Sequence, residues 1–410
     1  MRNLFKRHMR LILVALVALL VSNSFGLGYL MGSTRAAAGA AAAAPTPSTS
    51  TDQDTPPEFE VFWEAWRFVE DEFYGQVPDT RQRTYGAIRG MVNAYGDENT
   101  AFIDPERAAI FREDVSGSFE GIGAVVRMGD SGYIYIFEVY PGRPAAEAGL
   151  QRGDIILEVD GKPLQGLSLY EAISLIRGKA GTQVVLTIFR EGVSEPFKVS
   201  VKRARIEIEV VRSRWLAEEK GLGYVALSDF SRGASLKLAN AVQELEKEHA
   251  LKGLVFDLRN NPGGLLDEAV FVASQFIADG TVTIERGKGG VETVFEALPK
   301  GAAVKVPLVV LVNRGSASAA EIVAGAIKDR KRGQLIGEQT FGKGTVQIPH
   351  SLSDGSELRV TIAEWLTPNR KQINHEGIIP DIVVELTQAD FKAGRDPQLE
   401  RAIQYFETGK

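Results

Sequence analysis

The sequence predicts an α/β protein whose main sheet is preceded by a small strand-rich module and, before that, by helices. Three patterns lead there. From Gly223 onward, apolar runs at Gly223–Leu227, Gly253–Leu258 and Val306–Val312 alternate with helical stretches at Ser235–His249, Leu265–Ile277 and Ala319–Asp329. Such alternation marks a largely parallel sheet covered on both faces. Between Gly117 and Ala204, short strands are punctuated by Gly and Pro around one helix, Leu169–Arg177. From Glu58 to Phe111, the residues Phe59, Phe62, Trp63, Trp66, Val69 and Phe73 recur at steps suited to an amphipathic helix.

The elements follow in order. Arg2, Lys6, Arg7 and Arg10 precede an apolar run from Leu11 that carries on to Met31, about the 20 residues a spanning helix needs, with the positive flank on the cytoplasmic side. Residues 1–32 are therefore expected to be an anchor; Ala36 to Ala38 offer the small-residue site that a cleaved signal peptide would use. Either way the remainder is expected outside the cytoplasm, membrane-anchored or secreted, in a periplasm or at a cell surface. Residues 33–57 are rich in Ala, Pro, Ser and Thr and read as a linker. The aromatic stripe opens a helical region, 58–116, where it is expected to pack between helices; a second helix is expected at Arg83–Tyr95. The strand-rich module spans 117–204, the main core 205–390, and a C-terminal helix 391–410. Within the core, Gly333–Gly337, Lys343–Ile348 and Glu357–Trp365 read as further, more antiparallel strands.

A chain of 410 residues with 44% hydrophobic residues and net charge −6 is an ordinary globular protein, without the clustered Lys and Arg that nucleic-acid binding requires. It has no cysteine, so disulfides, thiolate nucleophiles and cysteine-based zinc sites are absent. Catalysis falls to hydroxyls, amines, carboxylates or imidazoles, and no metal or other cofactor is implied.

In the module, Phe119-Glu120-Gly121-Ile122-Gly123-Ala124-Val125-Val126 sets two glycines where a loop enters a strand. Backbone amides there can close around a carboxylate, because Gly admits positive φ. Downstream stand Tyr140-Pro141-Gly142-Arg143-Pro144-Ala145-Ala146, Arg152-Gly153-Asp154-Ile155-Ile156 and Val159-Asp160-Gly161. The series resembles PDZ domains of the bacterial protease type. The resemblance implies that a peptide adds as a strand beside Ala124, with its terminal carboxylate at Gly121, Ile122 and Gly123; a purely structural wedge is the alternative. Arg177, at the end of the module's helix, either complements the helix dipole or acts as a switch contact toward the core.

Three stretches of the core carry chemistry. Val306–Val312 leads into Asn313-Arg314-Gly315-Ser316-Ala317-Ser318-Ala319-Ala320-Glu321, a small-residue turn opening a helix whose free amides and positive end suit an oxyanion. Ser318 is the candidate nucleophile and the Ala319 amide a candidate oxyanion donor; both serines also read as plain helix caps. Glu321 reads as a packing or capping residue. A hydroxyl needs a base, and His8, His249, His350 and His375 stand in no motif, although a Ser-His-Asp hydrolase stays open because triads are set by geometry. Phe341-Gly342-Lys343-Gly344-Thr345-Val346-Gln347 offers a lysine instead. Strand alternation puts Lys343, Thr345 and Gln347 on one face, so that Gln347 can orient the amine. To act near pH 7 the lysine needs a shift of roughly 3 units, about 4 kcal/mol, which burial can supply; an exposed turn lysine is the alternative. Finally, Asp257-Leu258-Arg259-Asn260-Asn261-Pro262-Gly263-Gly264 ends a buried strand in two glycines, either of which can turn an amide toward a ligand. A P-loop is disfavoured because no Lys or Ser/Thr follows them.

Taken together, these stretches resemble the carboxyl-terminal processing proteases, also called tail-specific proteases, over nearly all of the chain after the linker. The resemblance implies a ClpP/crotonase-like core with the PDZ domain inserted, and a serine endopeptidase acting on unfolded or tail-exposed proteins. It implies a dyad of Ser318 and Lys343, 25 residues apart (343 minus 318), supported by Gln347, and so selects Ser318 over Ser316. It also suggests that Arg177 couples PDZ occupancy to activity. A homo-oligomer is left open. Two departures lie away from the dyad: Gly96-Asp97-Glu98-Asn99-Thr100 lacks the His or Pro common after that Asp, and Thr367-Pro368-Asn369 lacks the usual Gly after Pro. Rival readings are a catalytically silent PDZ scaffold and a crotonase-type acyl transferase, the latter disfavoured because a Ser-Lys pair in an exported chain does not suit coenzyme A chemistry.

Overall fold

A computed structural model describes residues 56–129, 132–387, 389–390 and 393–409. The apolar segment expected to anchor the chain, most of the linker and His8 lie outside them; among the described residues no helix is long and apolar enough to cross a membrane. The chain divides into two units, Met1–Pro78 and Asp79–Lys410. In the first, α1 (Phe59–Glu72) forms as its period requires, but it buries none of its residues: Trp63 is 51% and Phe73 55% exposed. Its rings pack on one another along the helix, Phe62 and Trp63 with centroids 5.1 Å apart.

The second unit begins with α2 (Thr80–Asn93), β1 (Ala101–Ile103) and α3 (Pro105–Val115). Asp79 and Asp104 start the two helices by accepting the amides of Gln82 and Arg107, the usual work of an N-cap. The PDZ-like module follows, with β2 (Ser118–Gly121), β3 (Ala124–Met128), β4 (Ile134–Val139), α4 (Pro144–Glu147), β5 (Ile155–Val159), β6 (Lys162–Pro163), α5 (Leu169–Ile176), β7 (Gln183–Phe189), β8 (Phe197–Lys202) and β9 (Ala204–Glu207). Its strands run in the order β3-β4-β5-β7-β8, with β6 on β5 and a separate β2-β9 pair. The module has a core of its own, in which Ile134, Ile136, Ile156, Leu186 and Ile188 are buried.

The main core comprises β10 (Val211–Ala217), β11 (Leu222–Leu227), α6 (Ala234–Glu248), β12 (Gly253–Asp257), α7 (Leu266–Ser274), β13 (Thr281–Gly287), β14 (Glu292–Glu296), β15 (Leu308–Val312), α8 (Ala319–Asp329), β16 (Gln334–Gly337), β17 (Thr345–Ser351), β18 (Glu357–Leu366), β19 (Ile382–Val383) and α9 (Pro397–Thr408). The main sheet runs β10-β11-β12-β15-β16-β19 and is parallel from β11 onward. Apolar runs such as Leu308–Val312, buried at every position, are what covering on both faces demands. One face packs on α6, α7 and α8, and the other on Leu399, Ala402, Ile403 and Phe406 of α9. A second, antiparallel sheet, β1-β18-β13-β14 with β17 on β18, lies beside the strand ends.

A part-buried ion cluster, with Asp257 at its buried end, holds α9 in place. Arg259 donates to Asp257 (2.7 Å), to Asp396 (2.8 Å) and to Gln398 (3.0 Å), while Tyr224 donates to Asp257 (2.8 Å). Removing one member of such a cluster leaves the other buried charges unpaired, which costs about 3–5 kcal/mol. Arg259→Ala is therefore expected to lower stability by about that amount, read from the urea midpoint. Limited proteolysis of the same variant is expected to cut within α9 first.

Candidate active site

β12, β15 and β16 are adjacent and parallel, with Asp257 opposite Leu311 and Val312 opposite Gly337. The segments leaving their C-terminal ends, 258–264, 313–318 and 338–344, therefore emerge side by side, where open α/β sheets place ligands. The first two are stitched together: Ala317 N donates to Asn261 O at 2.9 Å, and Asn260 and Asn313 exchange bonds of 2.8 and 3.0 Å. Ser316 is wholly buried, its hydroxyl donating to Leu258 O (2.8 Å) and accepting from Asn313 N (3.0 Å). That role occupies Ser316 and leaves Ser318, half-buried at the start of α8, as the accessible hydroxyl.

Ser318 sits at φ 54° and ψ −115°. A non-glycine residue held in such a region costs about 1–3 kcal/mol, and residues of this kind cluster at functional sites. Gly263 has no room for a side chain: a Cβ there would lie 2.8 Å from Ser318 Cβ and 2.9 Å from Ala319 N. The two glycines are not equivalent. The Gly263 amide donates to Asn261 Oδ1 (2.9 Å). Gly264 forms a parallel bridge with Phe230, through Phe230 N to Gly263 O and Leu265 N to Phe230 O, both 2.9 Å, so its own N–H is turned away from that partner. Among the described residues the amides of Gly264 and Ala319 meet no acceptor.

Glu321, read from sequence as a packing or capping residue, does more. Fully buried, it takes four donors on two oxygens: Oε2 accepts from the backbone amides of Ser318 (2.8 Å) and Lys343 (2.9 Å), and Oε1 from Gly342 N (2.7 Å) and the Thr340 hydroxyl. The backbone amides of Ser318 and Lys343 thus meet on a single oxygen atom. Burial raises the Glu321 carboxyl above its ordinary value by more than the four donors lower it. Only the ionised form accepts from all four, since a protonated oxygen would face a donor with a donor. A carboxylate in the apolar stretch Ala319-Ala320-Glu321-Ile322-Val323 was the sequence signal for this role, because a charge there must be buried and paired.

Lys343 is half-buried just before β17, and among the described residues its amine has no carboxylate partner. Burial, and then the charge of Arg359, hold its pKa below the ordinary lysine value. The flanking glycines let neighbouring backbone close in: a Cβ at Gly342 would meet Gly377 N at 2.9 Å, and one at Gly344 would meet Asn374 N at 2.6 Å. Gln347 lies on the same face as Thr345, to whose hydroxyl its Nε2 donates (2.8 Å). None of the histidines among the described residues bonds Ser318: His249 pairs with Glu218, and His350 and His375 are exposed.

Residues 221–384 match the model of peptidase family S41, and residues 135–190 that of the PDZ domain. The carboxy-terminal processing protease CtpA of Bacillus subtilis is 37% identical over 387 residues, which cover 93% of this chain and 78% of the relative. The chain belongs to the carboxy-terminal processing proteases, which are serine-type peptidases. The carboxyl-terminal-processing protease of Synechocystis is 35% identical, with 84% of this chain and 82% of the relative covered. A putative S41 protease of known structure from Bacteroides fragilis shares the fold, with a TM-score of 0.52 at 18% identity over 88% of this chain and 99% of that one.

The protease's PDZ domain carries a groove of about 190 Å³ between β3 and α5, lined by Phe119, Ile122, Ala124, Val126, Ile173 and Ile176. Gly123 has φ 77°, and among the described residues the amides of Ile122 and Gly123 meet no acceptor. Arg177 borders the groove. It bonds Glu113 (2.9 Å) and Asp114 (2.8 Å) of α3 and lies 4.3 Å from the centre of the Phe119 ring. Neither bond reaches the strand ends that hold Ser318 and Lys343. The next residue of α3, Val115, accepts from Arg232 of the core at 3.0 Å.

In Glu321→Gln an amide can offer an acceptor to only one of the two donor pairs. An unsatisfied buried donor costs about 1–3 kcal/mol. The variant is expected to lose peptidase kcat by about tenfold or more with little change in KM, measured on an unfolded protein substrate.

Proposed function

We propose that this protease cleaves unfolded or tail-exposed proteins as an endopeptidase, with Ser318 as nucleophile and Lys343 as general base. The observation that carries the reading is the shared Glu321 oxygen, which holds the backbone of both residues at one point. The substrate's terminal carboxylate is taken up by the Gly121-Ile122-Gly123 loop, and its last side chain enters the apolar groove beside Ala124. The chain then reaches the strand ends of the core. Ser318 Oγ attacks the scissile carbonyl carbon and gives its proton to the neutral Lys343 amine. The oxyanion is met by the free N–H groups of Ala319 and Gly264, with Gly263 supplying the close approach. As the C–N bond breaks, the Lys343 ammonium returns its proton to the leaving amine. Water then attacks the acyl-enzyme with Lys343 again as base, releasing Ser318 and the shortened product.

The same reading places the protease outside the cytoplasm on the N-terminal apolar segment. It also makes Arg177 the link by which groove occupancy is felt through α3 at residues 230–232, next to Gly263 and Gly264.

Ser318→Ala and Lys343→Ala are each expected to lose about a thousandfold or more in kcat. Lys343→Arg is expected to match them, because a guanidinium does not give up its proton. For the native protease, kcat/KM is expected to rise with pH as Lys343 deprotonates, with its midpoint below the ordinary lysine pKa of 10.5 because the shift is downward. Undiminished cleavage by Ser318→Ala or Lys343→Ala would remove the assignment.

Capture has its own test. Charge-assisted hydrogen bonds are worth about 1.5–3 kcal/mol, so amidating a peptide's C-terminus is expected to weaken binding about tenfold or more in a fluorescence titration. Equal binding of free and amidated peptides would remove the carboxylate loop from the mechanism.

A further inference from the structure

β17 leads away from Lys343, and one of its two edges is open. Among the described strands it pairs with β18 alone, while the other edge of β18 is taken by β1 and β13. Two bonds show which backbone groups face the opening. Gly344 O accepts from Trp365 N at 3.0 Å, so the backbone of Gly344 is turned toward β18. Thr361, which lies opposite Gln347, donates its N–H the other way, to Thr100 Oγ1 at 3.0 Å. Residues directly opposite in an antiparallel pair exchange both of their bonds or neither, so Gln347 spends neither its N–H nor its C=O on β18. Alternation from Gly344 gives the same answer: Thr345 and Gln347 face the open edge, and Val346 between them faces β18. Pro349 is next in that series, within an exposed stretch from Ile348 to Ser351. It offers a carbonyl to the edge but has no N–H.

We infer, resting on the reading of Ser318 and Lys343 as the reacting pair, that the open edge of β17 is where the extended substrate backbone adds as a further strand. An open edge is a row of unpaired donors and acceptors that fits any extended chain, and an unfolded protein supplies one. Backbone pairing reads no side chains, so it suits a protease whose selection is made at the PDZ groove. The edge begins at Thr345, two residues past Lys343, which brings the added chain alongside the segment that carries the base. Thr345 and Gln347 each offer it an N–H and a C=O. At Pro349 the donor is missing, so the full hold is confined to the residues nearest Lys343, and a short hold lets the product leave. Proline on an edge also hinders pairing with a second copy of the chain, which favours the substrate as the occupant.

The test is a scan of peptide substrates on the full chain. One N-methyl group is moved residue by residue along both sides of a single cleaved bond, the scissile amide excepted, and well upstream of a free C-terminus so that PDZ capture is common to all. Only every second N–H of a strand faces a given neighbour, whichever way the substrate runs. N-methylation is therefore expected to lower kcat/KM about fivefold or more at alternate positions and less than about twofold at those between. Pro349→Ala, which restores an outward N–H, is expected to lower KM about twofold or more. Thr345→Pro removes one and is expected to raise KM about fivefold relative to Thr345→Val, which loses the hydroxyl but keeps the N–H. Labelling by a fluorophosphonate probe and binding of a free-carboxylate peptide check that each variant is folded. Equal sensitivity at adjacent positions, no sensitivity at any, or a Pro349→Ala enzyme with KM unchanged or raised would overturn the strand addition. A flat profile together with a dimer in light scattering that Ile348→Lys dissolves would give the edge to a second copy and overturn it too. If instead Ser318→Ala still cleaves, the reading of the site itself falls, whatever the scan returns.

Discussion

The Glu321 carboxylate is the interaction on which the site depends. Ser318 and Lys343 come from different strand ends, and no bond between those two residues is needed to hold them in register, because one oxygen accepts both backbone amides. The second oxygen adds Gly342 and Thr340. Thr340 Oγ1 also accepts Ile378 N at 2.7 Å, which ties in the turn that presses against Gly342 and Gly344. A charge buried at this depth is tolerated only when it is fully satisfied, and the same requirement makes the arrangement rigid. Losing any one donor would weaken the case for burying the charge at all.

That carboxylate can work only because the sheet delivers the three segments to one place. Parallel neighbours β12, β15 and β16 end together, so their outgoing loops meet without long excursions. The glycines then set how closely they meet. At Gly263 and Gly264 a methyl group would strike Ser318 and Phe230 respectively, so these positions are closed to every other residue. The strained backbone at Ser318 is held by surrounding bonds, among them Glu321 N to Ser318 O at 2.8 Å. Strain of this kind persists only where neighbours over-determine it.

Much of this was legible in the chain. The buried runs of β11, β12 and β15 and the helices between them carry a pattern that burial on two faces imposes, and Ala319–Asp329 was delimited by its small-residue start; Gly333–Gly337, expected among the more antiparallel strands, instead pairs parallel with β15 as β16. The Gly-Lys-Gly and Asn-Pro-Gly-Gly stretches carry their chemistry locally. What was not legible depends on contacts between distant segments. Ser316 and Ser318 look alike in sequence and separate only when Leu258 and Asn313 are seen to occupy the first. Gly263 and Gly264 separate through Asn261 and Phe230. The α1 stripe has a clear period, but a period states only that a face is apolar and not what covers it. β13 and β14 escaped because Glu285, Arg286 and Glu292 interrupt their apolar pattern.

Two opposite charges flank the proposed base, and their reach is unequal. Glu321 is negative and touches the Lys343 backbone, which by itself would favour an ammonium. Its lone pairs, however, are turned to four donors, and none of them reaches the amine. Arg359 acts in the other direction: with burial, its charge makes a second cation nearby unfavourable. Arg359 is itself held by Glu357 at 2.8 Å and lies 4.5 Å from the centre of the Phe111 ring. Burial and the Arg359 charge both lower the pKa of the Lys343 amine, and in the proposed mechanism the charge it gains from Ser318 arises while an oxyanion forms nearby. Attraction between that pair offsets the cost that burial and Arg359 impose, so the penalty falls on the resting ammonium and is partly lifted in the transition state, which is what a general base requires.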